Sequence, residues 1–241
     1  MNWKTFNWNR PLVIAHRGDT KNAAENTLPA VEAALRSDID GIEVDLRLTR
    51  DGEIVVFHDE DLRRLADSPV RIERSNLARL KEFRLGNSGI PTLEELLDLV
   101  RDRKLLNLEI KTVRWTDRRL EKRLVDLLRA FRLSDSVLIS SFHPLPLRRL
   151  KKIAPQLARG YLFQDKLFLH QRLMLFVKPF SVNAPFSRLS PSLLDAVHKA
   201  GRRFFIWTVN DENDMKRCIE SGVDGIITDE PQRLLKLLHE R

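Results

Sequence analysis

Short apolar runs alternate with amphipathic stretches along nearly the whole chain, a pattern that predicts strands followed by helices. The first run, LVIAHRG over 12–18, ends in His16, Arg17 and Gly18. A helix over 27–35 follows, with Thr27 as its candidate N-cap and Pro29 in its first turn. The stretch 41–59, GIEVDLRLTRDGEIVVFHD, sets Leu46 and Leu48 before Asp51-Gly52 and Ile54 and Val56 after it. That arrangement predicts a hairpin with a two-residue turn. Glu43 and Asp45, two apart on a strand, share a face. Pairing symmetric about Asp51-Gly52 sets His58 directly opposite Asp45, with side-chain carbons roughly 5 Å apart. Two carboxylates and an imidazole then crowd together, and a divalent cation would relieve the repulsion.

Periodicity is poor over 60–90, with a short strand at 70–72 and a short helix over 76–83, so this stretch reads as a small insertion on the hairpin side. Thr92 and Glu95 form a capping box before a helix that reaches about 102. Further strands are predicted at 105–111, 137–142, 160–163, 181–184, 204–209 and 225–228. Helices are predicted over 117–131, 144–153, 167–177, 191–200, 212–221 and 232–238. Nine strand candidates face eight helices, and treating 54–58 as the return arm of the hairpin leaves eight of each. The expectation is an α/β fold: a TIM (β/α)8 barrel spanning 1–241 as one domain, with a catalytic hairpin and the insertion after its second strand. No glycine-rich dinucleotide fingerprint follows the first strand, which argues against a doubly wound sheet. Trp3, Phe6 and Trp8, interleaved with Lys4 and Arg10, read as a plug over the barrel floor, with an interfacial membrane anchor as the alternative.

Composition narrows the picture. At 241 residues, 42% hydrophobic and 32% charged, the chain is neither disordered nor membranous. It carries no signal-peptide pattern and no membrane-spanning apolar run, and its one cysteine, Cys218, excludes an internal disulfide and a thiolate metal cluster. The reading is a cytoplasmic protein. A net charge of +8 favours anionic ligands. The Lys and Arg pairs at 63–64, 118–119, 148–149 and 202–203 are scattered over different segments, so no nucleic acid is expected as a partner. Weak contact with an anionic membrane remains open, and so does the oligomeric state.

In a barrel of this type, chemistry gathers at the C-terminal ends of the strands. His16 and Arg17, Glu43 and Asp45, Glu109 and Lys111, Ser140 and Ser141, Asn183, Trp207 and Asn210, and Thr228 and Asp229 all fall there. Three carboxylates with no thiolate suit a hard cation, Mg²⁺ or Ca²⁺.

The motifs HRG at 16–18, ENT at 25–27, IEVDLRLTRDG, VVFHD at 55–59, IPTLEELL, LNLEIK, WTVN at 207–210 and GVDGIITDEP at 222–231 resemble the glycerophosphodiester phosphodiesterase family in order and spacing. The resemblance implies a TIM-barrel hydrolase that cuts glycerophosphodiesters to glycerol 3-phosphate and an alcohol, with one divalent cation. It implies Glu43, Asp45 and Glu109 as metal ligands, His16 and His58 as the acid/base pair, and Arg17 and Lys111 on the phosphate. It also suggests attack by a substrate hydroxyl through a cyclic phosphate. The chemistry agrees, because an anionic diester needs cations to absorb the developing charge and two groups titrating near neutrality to move protons.

Other readings stand beside these. A structural pairing of Arg17 with Glu25 is the alternative to its place on the phosphate, and Trp207 is either core or a flat wall for glycerol or headgroup. Asn26 and Thr27 are expected to order the first loop and cap the first helix, and Asp229 to cap the last. His143 reads as a loop histidine, and His170, His198 and His239 as surface residues on helices. Leu167 and Phe168 open an apolar, basic-fringed helix at the active-site end. A lysophospholipase D acting on lysophospholipids is the alternative activity, and a non-catalytic phosphate- or membrane-binding barrel a remote one.

Overall fold

The computed structural model describes residues 1–101, 103–111, 119–164, 174 and 176–240. The elements run β1 (Leu12–His16), α1 (Leu28–Leu35), β2 (Gly41–Leu48), β3 (Ile54–Val56), α2 (Arg63–Ala66), α3 (Leu77–Leu80), β4 (Arg84–Leu85) and β5 (Ser88–Gly89). There follow α4 (Leu93–Val100), β6 (Leu105–Ile110), α5 (Arg119–Ala130), β7 (Val137–Ser141), α6 (Pro144–Ile153) and β8 (Ala158–Leu162). The chain continues with β9 (Ser181–Pro185), α7 (Pro191–Lys199), β10 (Arg203–Trp207), α8 (Glu212–Ser221), β11 (Gly225–Thr228) and α9 (Pro231–His239).

Eight strands, β1, β2 and β6 to β11, run parallel and close on themselves, because β1 pairs with β2 on one side and β11 on the other. All eight residues of β2 are buried, as expected where one face lines a barrel and the other lies under helices. The helix expected over 167–177 lies largely outside the described residues, as do Leu167, Phe168, His170 and the start of the helix expected from 117. Thr27 caps α1, and Thr92 and Glu95 make the reciprocal capping box of α4. Among the described residues no helix is long and apolar enough to cross a membrane.

The return arm is antiparallel to β2, but its register differs from the expected one. Leu46 pairs with Val56, Arg47 with Val55 and Leu48 with Ile54, and the Phe57 amide donates to the Asp45 carbonyl at 2.9 Å. Phe57, not His58, therefore stands opposite Asp45. The loop has three residues, Arg50, Asp51 and Gly52: the Thr49 amide donates to the Glu53 carbonyl at 2.9 Å, and Gly52 is left-handed at φ +90°. An Asp-Gly pair serves either loop length. Since residues 54–57 are all apolar, alternation along the strand does not choose between the two registers. The choice falls to Asp51, whose carboxylate accepts from the Thr49 hydroxyl at 2.6 Å and from the Leu77 amide of the insertion at 3.1 Å.

The insertion has its own apolar cluster, with Phe57, Leu62, Ile72, Leu80, Leu85 and Ile90 around Val55. The strand expected at 70–72 is a single bridge between Asp61 and Arg71 followed by a 3₁₀ turn over Ile72–Arg74.

At the barrel floor Trp3 is wholly buried with Leu12, Ile14, Leu105, Leu138, Phe205 and Ile227. Its indole donates to the carbonyls of Ser136 at 2.9 Å and Leu106 at 3.2 Å. The plug reading holds, and this burial overturns the membrane-anchor alternative for Trp3. Two aspartates tie the floor together, each preceding a Gly-Ile that opens a strand. Asp40 accepts from the Val13 amide and from Arg10, and Asp224 from the Phe204 amide, Arg203 and His198.

Candidate active site

Strand β1 ends in a sharp bend. Arg17 and Gly18 are both left-handed, at φ 59° and 92°. A Cβ on Gly18 would lie 2.8 Å from the backbone of Ala30, so only glycine fits under α1. The bend points the Arg17 amide at Glu43, 3.2 Å from Oε2, and leaves the guanidinium between two carboxylates, with Nη1 at 2.7 Å from Glu25 and Nε at 3.3 Å from Asp45.

Glu43, Asp45 and Glu109 are 3%, 1% and 7% exposed and each brings an oxygen within 4.8 Å of the others. Adjacent pairing of β2 with β6 sets Asp45 beside Glu109. Among the described residues Lys111 and the shared Arg17 are the cations paired with these three acids, and the protonation pattern follows. Burial, with Asp45 and Glu109 nearby, raises the Glu43 carboxyl well above its usual range. Burial and Asp45 push Glu109 up to about 7 against the pull of Lys111. For Asp45 burial is outweighed by Lys111 and Arg17, which hold it below its usual value. The Glu43 Oε1 atom is buried with no hydrogen-bond partner. A charge deficit and an orphaned carboxylate oxygen in an all-oxygen donor set fit a hard divalent cation.

His16 and His58 line the same cleft, of about 270 Å³, with Arg17, Glu43, Glu109 and Lys111. Each ring has its Nδ1 on a carboxylate at 2.7 Å, His16 on Asp229 and His58 on Asp59. Such a contact assigns the proton of a neutral ring to Nδ1 and leaves Nε2 as the free base. His16 Nε2 lies 3.9 Å from Glu43 Oε2. Burial lowers the His58 pKa against the pull of Asp45. His58 reaches the cleft although its register position is not the expected one, because β3 ends at Val56 and the chain bends, with the His58 carbonyl taken by Arg47 Nε at 2.8 Å.

Lys111 Nζ sits 2.5 Å from Glu109 and 3.2 Å from Asp45, and 5.7 Å from the centre of the Phe142 ring. Phe142 meets Trp207 edge to face at 5.5 Å, and both line the cleft. The Trp207 indole Nε1 is buried without a partner. All eight candidate residues are thus brought to one mouth of the barrel.

Three residues to which the sequence assigned another role, or none, belong to the site. Asp229 does not cap the last helix: Glu230 is the N-cap, because Pro231 already occupies the first helical turn. Asp229 instead holds His16, and Asn210 holds Asp229, donating from Nδ2 at 2.7 Å and accepting from the Asp229 amide at 2.9 Å. Asn26, left-handed at φ 58°, brackets Asp45 by donating to Oδ2 at 2.8 Å and accepting from its amide at 3.1 Å. Asp59, adjacent to His58, had no distinguishing spacing signal.

A model of the Glycerophosphoryl diester phosphodiesterase family matches residues 16–233. A glycerophosphodiester phosphodiesterase from Caldanaerobacter subterraneus subsp. tengcongensis is 37% identical over 96% of this chain and 99% of its own. One from Bacillus altitudinis is 33% identical over 95% and 98%. Among solved structures, an Oleispira antarctica phosphodiesterase in complex with the product sn-glycerol-3-phosphate superposes with a TM-score of 0.90 at 28% identity, covering 95% of this chain and 97% of the other. A match at 30% or more identity across nearly the full length of both chains, on the same closed barrel, is decisive: the chain belongs to the glycerophosphoryl diester phosphodiesterase family.

Proposed function

We propose that the protein hydrolyses small, water-soluble glycerophosphodiesters to glycerol 3-phosphate and an alcohol, with one divalent cation, Mg²⁺ or Ca²⁺, held by Glu43, Asp45 and Glu109. The observation that carries this is the convergence of three buried carboxylates, two Nδ1-anchored imidazoles and two cations on one cleft. The Oleispira relative, solved with sn-glycerol-3-phosphate, supports the product.

In this reading Arg17 and Lys111 bind the phosphate oxygens and absorb charge as the fifth P–O bond forms. The cation, when bound, supplies Lewis-acid polarisation of the phosphoryl oxygen. One imidazole takes a proton at Nε2 from the attacking oxygen and the other delivers one at Nε2 to the leaving alcohol. Asp229 and Asp59 keep both rings in the tautomer that exposes Nε2. Trp207 offers a flat wall to the glycerol or headgroup, with Phe142 standing edge-on against it. The sequence holds a single cysteine, Cys218, which is buried and free, in keeping with a reducing compartment, and we place the enzyme in the cytoplasm.

The test is turnover of glycerophosphocholine, glycerophosphoethanolamine and lysophosphatidylcholine by purified protein with Mg²⁺, Ca²⁺ or EDTA. Glycerol 3-phosphate should be released from the first two and EDTA should abolish the reaction. Equal turnover in chelator would sink the metal mechanism, and preference for lysophosphatidylcholine the substrate class. Glu43→Ala should lose both metal binding and activity. His58→Ala should bind metal normally and lose turnover by about 10²-fold or more.

A further inference from the structure

We propose that Arg64, on α2 of the insertion and outside the cleft, is a positioning residue that braces His58 and Arg17 at once; the inference rests on the roles given to those two residues above. Arg64 Nε donates to Asp59 Oδ2 at 2.7 Å, while Asp59 Oδ1 lies 2.7 Å from His58 Nδ1. The other edge of the same guanidinium donates to Glu25, from Nη2 to Oε1 at 2.6 Å and from Nη1 to Oε2 at 2.9 Å. Glu25 Oε1 also accepts from Arg17 Nη1 at 2.7 Å. One planar fork therefore links the loop after β1 to the segment after β3.

The physical consequence lies in the two carboxylates. Asp59 is held through both oxygens, one by Arg64 and one by His58, so it has a single orientation and fixes the plane of the imidazole. Glu25 is held through both oxygens by Arg64, so it fixes Arg17 through Nη1 and keeps the rest of that guanidinium turned toward Asp45 and the cleft. Both acids stay ionised below their usual ranges. For Asp59, burial is outweighed by hydrogen bonds from His58 and Arg64, and for Glu25 by those from Arg64 and Arg17. Arg64 does not line the cleft, and its side chain is 47% exposed. Nor does the insertion need Arg64 for cohesion, having its own apolar cluster. A lysine supplies the charge but not three donors in one plane, so the brace demands arginine.

The experiment measures kcat and KM for glycerophosphocholine at saturating Mg²⁺, using full-length Arg64→Ala, Arg64→Lys, Asp59→Ala, Arg63→Ala and the Asp59→Ala/Arg64→Ala pair. Arg63 is the control, since it sits next to Arg64 on α2 and pairs only with Asp61 among the contacts described. Arg64→Ala is expected to lower kcat by about tenfold or more and to raise KM, with unchanged melting temperature and Mg²⁺ affinity. Arg64→Lys should recover little of the loss, and Arg63→Ala should stay within about twofold of wild type. The double variant should be no slower than the worse single variant by more than about twofold, because both changes release the same ring. Full rescue by lysine, an Arg63→Ala defect equal to that of Arg64→Ala, additive losses in the double variant, a change in KM alone, or wild-type kinetics for Arg64→Ala would each overturn the brace. His58→Ala run alongside separates the two levels. An inactive His58→Ala beside a normal Arg64→Ala removes only the brace, whereas a normal His58→Ala removes the role of His58 and the brace with it.

Discussion

At the scale of single residues, the cleft is built from pairs in which a partly exposed acid fixes the geometry of a reactive group. His16 shows this most directly, since its ring orientation depends on Asp229 and that of Asp229 on Asn210. Replacing Asp229 by Ala should leave metal binding and melting temperature intact while lowering kcat by about 10²-fold, with little change in KM, measured by steady-state kinetics. The eight candidate residues were legible in the sequence because each ends a strand or follows the hairpin, and strand ends converge in a closed parallel barrel. The contacts that hold them in place were not. Asp229 before Glu-Pro reads locally as a helix cap, and Asn26 before Thr as a loop former. What recruits both to the site is the closure of the barrel, which brings β11 beside β1 and the first loop over β2. Local spacing carries no trace of such contacts.

At the scale of elements, strand and helix identities followed from periodicity, whereas pairing register did not. Period two distinguishes the faces of a strand, but a run of four apolar residues satisfies two registers equally, and the hairpin loop decides between them. That loop, pinned by Asp51, also contains Gly52, which is left-handed at φ +90° with nothing within 4 Å of where a Cβ would stand. Gly52→Ala therefore meets conformational strain without collision. It should cost about 1 kcal/mol, read as a lower urea midpoint at unchanged slope. The capping boxes and caps, in contrast, are written in four consecutive residues and were legible as such, as Thr92 and Glu95 illustrate.

At the scale of the whole molecule, the two mouths of the barrel divide the labour. The C-terminal mouth gathers unbalanced charge, and the opposite end is closed by apolar packing and by Asp40 and Asp224, which pin one strand to the next. Trp3→Ala should cost about 3 to 5 kcal/mol in urea unfolding, with no change in kcat for the folded enzyme. The plug also bears on how the protein is made. Trp3 is synthesised more than a hundred residues before its acceptors, Leu106 and Ser136, and β1 gains its second neighbour only when Gly225 to Thr228 emerge. During synthesis the nascent chain thus carries an unseated tryptophan and two open sheet edges for on the order of ten seconds. In that interval, before the ring exists, the chain is most exposed to aggregation and most in need of a chaperone.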